Sequence, residues 1–133
     1  MRRVLLLGLA LALQAGAPPR TRLVSAHALP PLDGGHLSLK IVEVRYGPGE
    51  ASAPHRHPFP VTVYVLEGAV RTQVEGQSEP VVYHAGESFS EAPDVPHLVS
   101  ANASATTPAR FLAIFTCDHE AELSAALPGD HQP

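Results

Sequence analysis

His55 and His57 stand two apart in the segment GEASAPHRHPFPVTVYVLEG, residues 49–68, and neutral imidazole is a good ligand for a divalent transition metal. In an extended chain, residues i and i+2 leave the backbone on the same face, so both rings enter one space if this segment is a strand. On a helix they would diverge by about 200°. Pro54, Pro58 and Pro60 oppose the helix, because proline removes a backbone donor and pushes the residue before it out of the α region. A stable metal site needs at least a third ligand, so the pair is a beginning only.

The elements that must position this pair read as short strands. From Leu37 to Tyr46 the side chains alternate, with Val42, Val44 and Tyr46 on one face and Ile41, Glu43 and Arg45 on the other. Val61–Leu66 is a β-branched and aromatic run of high strand preference, and Glu67-Gly68 closes it. Ala69–Val74 follows as its hairpin partner. Pro80–His84, Ser88–Glu91, His97–Ser100 and Arg110–Thr116 complete the set, each bounded by glycine, proline or polar turn signals. Asp118 is a candidate cap for a short C-terminal helix from His119 to Leu127, with Glu120 and Glu122 in its first turn. Short strands at near-regular spacing describe an all-β sandwich or barrel, and a double-sheet jelly roll leaves room inside for a small ligand.

The chain has 133 residues, which suits one domain, and its 14 prolines disfavour long helices. Residues 1–28 read as a signal peptide and leader. Arg2 and Arg3 precede an apolar run from Val4 to Leu13, and small residues follow, with cleavage expected near residue 17 or residue 28. Such a run is too short to span a bilayer, which takes about 20 residues. The expected destination is periplasmic or extracellular, with no stable membrane span after processing. Residues 29–36 form an arm, 37–117 the barrel, and 118–133 the helix and tail.

Removal of residues 1–28 takes away four basic residues and no acidic ones, moving the formal charge from −4 to −8. Nucleic acid is therefore excluded as an expected partner, for want of a basic patch to release counterions. The single cysteine, Cys117, excludes an internal disulfide and a thiolate cluster. It is a free thiol, a buried small hydrophobe or a link between chains.

Two motifs give the sequence a resemblance to the cupin superfamily. In the first, G-x5-H-x-H-x3 or 4-E-x6-G, Gly49, His55, His57 and Gly68 fall in register, but Val61 stands where the family has glutamate. The second is looser: Gly86 opens it, Ala92–Pro96 occupies the bend, His97 holds the histidine position and Asn102 comes one residue late. The resemblance implies a double-stranded β-helix, or jelly-roll, barrel in which His55, His57 and His97 converge on one divalent metal ion. Iron, manganese, nickel, copper and zinc all suit such ligands. Glu91 is the candidate replacement carboxylate or base, while Val61, Val63, Val65 and Thr72 are expected to line the pocket. The family also suggests a homodimer.

The expected partner is a small-molecule ligand or substrate. One reading is an exported metalloprotein acting on it, as a dioxygenase or isomerase, with no residue standing out as catalytic. The alternative is a non-catalytic module whose valine-lined pocket binds the molecule with weak metal or none. His119-Glu120 begins like the H-E-x-x-H of zinc proteases, but Leu123 occupies the second histidine position.

Overall fold

Alternation along the strands builds the interior. In a computed structural model that describes residues 21–128, Val61, Val63 and Val65 point inward from β4 (Val61–Glu67), and Ala109, Phe111, Ala113, Phe115 and Cys117 do so from β9 (Ala109–Cys117). These two strands pair antiparallel at the centre of a four-stranded sheet, flanked by β1 (Ser38–Tyr46) and β7 (Ser88–Glu91) in the order β1-β9-β4-β7. Cys117 is buried and free.

The opposing sheet is built on β5 (Ala69–Val74), β6 (Val81–His84) and β8 (His97–Asn102), with β5 paired to both β6 and β8. Three two-residue strands extend it: β2 (Ala51–Ser52) and β3 (His55–Arg56) pair with β8, and β10 (Ala125–Ala126) pairs with β3. The two antiparallel sheets face each other as a jelly roll. The described residues contain no helix, and so none long and apolar enough to cross a membrane.

Gly68 carries the chain from β4 in one sheet to β5 in the other. Its φ of +70° suits glycine, and a Cβ there would lie 2.4 Å from the Pro108 carbonyl oxygen. Asn102 ties the loops at this end: its Nδ2 donates to the carbonyls of Gly47 and Thr107, and its Oδ1 accepts from Ser104 N–H. One sequence-motif residue thus holds three segments together.

The C-terminal segment differs from the sequence expectation. Residues 119–127 form no helix. Asp118 accepts a hydrogen bond from Asp33 N–H instead of capping a helix, and Ala125 and Ala126 pair with Arg56 and His55. A nine-residue helix is marginal without tertiary support, and pairing with β3 gives the backbone groups partners that a frayed helix end lacks. Leu123 packs on the core, and Leu123, Ser124 and Ala126 line the cavity between the sheets. The leader expected at residues 1–20 lies outside the described residues, and residues 21–37 run as an arm in which His27 Nε2 bonds Ser88 Oγ.

Candidate metal centre

His55, on β3, lies directly opposite His97 on β8. His57 follows two residues later and its ring lies 4.8 Å from that of His55, centroid to centroid, as an extended i, i+2 pair requires. The His55 and His97 rings are 5.0 Å apart, and those of His57 and His97 6.4 Å. One nitrogen from each of the three lies within 4.8 Å of the others.

The hydrogen bonds made by these rings decide which nitrogens are free. His55 Nδ1–H donates to the Ala53 carbonyl and His57 Nδ1–H to the Leu123 carbonyl, both at 2.7 Å. In neutral imidazole the other nitrogen, Nε2, then carries the lone pair. His97 is arranged the other way round. Its Nε2 shares a 2.7 Å hydrogen bond with Thr72 Oγ1, and its Nδ1 is buried without a hydrogen-bond partner. An orphaned buried imidazole nitrogen facing two others is a donor that a bound cation would satisfy. Burial holds the pKa of His57 below the ordinary imidazole value, outweighing its bond to Leu123 and the nearby Glu91 carboxylate. The ring therefore stays neutral, the form that binds metal.

Glu91 completes the cluster from the opposite sheet. It is 7% exposed, and its Oε2 lies 3.5 Å from His57 Nε2 and 3.3 Å from His97 Nδ1. The contact with His97 is poorly aligned for a hydrogen bond. Glu91 on β7 is the cross-strand partner of Val61 on β4. A carboxylate thus stands beside position 61 in the sheet, on the neighbouring strand. Facing Cβ atoms in such a pair are about 5 Å apart.

These four residues form one end of a cavity of about 420 Å³ between the sheets. Val61 and Val63 line it as the sequence suggests. Val65 is fully buried but lies outside the cavity lining, and Thr72 stands behind His97 as its hydrogen-bond partner rather than in the lining. Sequence reasoning missed the Leu123 carbonyl, because a backbone acceptor leaves no trace in residue type. It also missed a hydroxyl cluster at the other end of the cavity, where Tyr46 Oη bonds Ser52 Oγ and Ser100 Oγ. The one available signal was a tyrosine on the inward face of its strand.

A β-sandwich of this topology is the architecture of a cupin, and the cupin-domain family model matches residues 42–115. The chain belongs to the cupin family. Among solved structures, it is similar in fold to the DMSP lyase DddQ from Ruegeria pomeroyi DSS-3, with 20% identity and a TM-score of 0.61 over 71% of this chain and 46% of that one. It is also similar to Bacillus subtilis oxalate decarboxylase. One structure, of an R92A mutant, shows 26% identity and a TM-score of 0.58 over 67% of this chain and 24% of that one. A second, from work on the Mn(II) centres of that enzyme, shows 27% identity and a TM-score of 0.57 over the same shares. The chain therefore spans less than half the length of these proteins. No curated protein sequence matches it.

Proposed function

We propose that this chain is an exported, single-domain metallo-cupin that holds one divalent ion through His55, His57 and His97, with Glu91 as the fourth ligand, and acts on a small molecule in the adjoining cavity. The observation that carries this reading is the convergence of Glu91 Oε2 and the unpartnered Nδ1 of His97, 3.3 Å apart and both buried. A buried carboxylate among three imidazoles has little reason to stay there without a cation. Metal–ligand bonds of about 2.0–2.2 Å place ligand atoms roughly 3–4 Å apart. The three imidazole nitrogens, all within 4.8 Å of one another, would have to draw about 1 Å closer to reach this.

When bound, the ion supplies Lewis acidity toward a substrate oxygen. The Ala53 and Leu123 carbonyls fix the tautomers of His55 and His57, and Thr72 orients His97. The Glu91 carboxylate offsets part of the ion's charge, and its second oxygen is positioned to accept a proton. Manganese is the first ion to test, because the donor set mixes imidazole with carboxylate and Bacillus subtilis oxalate decarboxylase, a fold relative, has Mn(II) centres. The basic start and apolar run at residues 2–13 support export.

A second reading has its own support: the cavity walls are mostly apolar, as in a module that binds without turnover. Cobalt(II) titration followed by visible absorption tests the metal centre. Saturation at one equivalent, lost in His57→Ala, is expected; no visible bands in the wild-type protein would contradict it. With metal loaded, oxygen uptake or product formation across a panel of small phenols and thiols separates catalysis from binding alone.

A further inference from the structure

The cavity has two polar ends and an apolar middle. One end is His55, His57, His97 and Glu91. At the other, the hydroxyl of buried Tyr46 bonds Ser52 Oγ at 2.5 Å and Ser100 Oγ at 3.0 Å, and all three residues line the same cavity. Ser100 reaches the inward face three residues after His97 because the β5–β8 register shifts between Gln73 and Val74. Three residues of strand put the two ends roughly 10 Å apart. Between them stand Val42, Val44, Val63, Phe89, Phe111 and Ala113.

Two features limit what fits. No lysine or arginine lines this cavity among the described residues. A divalent ion with Glu91 carries a net charge of +1, so it neutralises a single negative charge on a ligand. A dianion would leave one charge buried without a partner, which is costly. At the far end, the three hydroxyls carry three protons, of which their two mutual hydrogen bonds use two. One proton remains to be donated.

We infer that the cavity takes a small, mainly apolar molecule, at most singly charged, that meets the metal centre through an oxygen at one end and accepts a hydrogen bond from the Ser52–Tyr46–Ser100 hydroxyls through an oxygen at the other. This rests on the metal-centre reading above. It sets the chain apart in substrate class from oxalate decarboxylase, whose substrate is a small dianion.

The test is calorimetry on the full domain, first with manganese and then with three probes, in metal-loaded and metal-free protein. The probes are 4-hydroxyacetophenone, which has oxygens at both ends and a matching length, 4-ethylphenol, which lacks the far oxygen, and oxalate. In loaded protein 4-hydroxyacetophenone should bind about fivefold more tightly than 4-ethylphenol, the scale of one net hydrogen bond. Oxalate should bind more weakly than either. Removing all three hydroxyls together (Tyr46→Phe, Ser52→Ala, Ser100→Ala) leaves no half-made pair, so the domain should fold, and the preference between the two phenols should vanish while 4-ethylphenol affinity is kept.

Oxalate binding as tightly as 4-hydroxyacetophenone would overturn the inference. So would the absence of phenol binding to loaded protein, a missing preference in the wild type, or a preference that survives the triple substitution. Equal phenol binding with and without metal would overturn the assignment of the head group to the metal end. Failure of manganese uptake in the first titration would defeat the metal-centre reading itself, and with it this inference, and is read before any probe is added.

Discussion

At the residue scale, the pairing of Val61 with Glu91 across two strands is what distinguishes this site from the family pattern. In the proposed site the carboxylate sits one strand over from position 61, and this makes an exchange experiment possible. Glu91→Val should weaken manganese binding at least tenfold, or about 1.4 kcal/mol, in a competition assay against a chromophoric chelator. Val61→Glu alone adds a second buried carboxylate beside the first and should lower the stability of the metal-free protein by about 2–4 kcal/mol. The double exchange, Val61→Glu with Glu91→Val, should recover most of the lost affinity. If it binds metal no better than Glu91→Val alone, the carboxylate at position 91 is not acting as a ligand. His55 and His57 were legible from spacing alone, since an H-x-H pair on an extended segment fixes its own geometry, whereas His97 was legible only through the family resemblance. Glu91 was legible only as a candidate, because strand register depends on partners distant in sequence and leaves no local pattern.

At the element scale, seven strands could be read from side-chain alternation and from the glycine, proline or polar turn residues that bound them. The two-residue strands β2, β3 and β10 could not. They exist because β8 and β3 offer free backbone groups, which is a tertiary fact rather than a propensity. The expected helix at 119–127 failed for the same reason: its capping signals were local, whereas the segment's partners are Asp33, His57 and β3. Gly68 is the connection most sensitive to substitution. Gly68→Ala combines left-handed strain of about 1–2 kcal/mol with a collision at 2.4 Å against the Pro108 carbonyl. Urea denaturation should show a loss of at least about 2 kcal/mol. A loss below about 0.5 kcal/mol would mean that the crossover between sheets can relax.

At the scale of the whole molecule, the two sheets have divided tasks. The four-stranded sheet supplies most of the apolar wall and Glu91, while the larger sheet supplies His55 and His97 and, from Thr72, the hydrogen bond that orients one of them, with His57 on the residue just after β3. The C-terminal segment lines the cavity and holds His57 through the Leu123 carbonyl, so metal binding and packing of this segment should be linked. Loading one equivalent of manganese should raise the melting temperature, and a chelator should reverse the rise. The central claim is that the three histidines and Glu91 are a metal site rather than a buried polar network. Elemental analysis of the tag-free domain, purified from metal-replete cells, tests it most directly. Close to one divalent ion per chain is expected, falling to near zero in His55→Ala/His57→Ala; less than about a tenth of an ion per wild-type chain, far below the single ion that three converging imidazoles should hold, would mean that the cluster is a buried polar network.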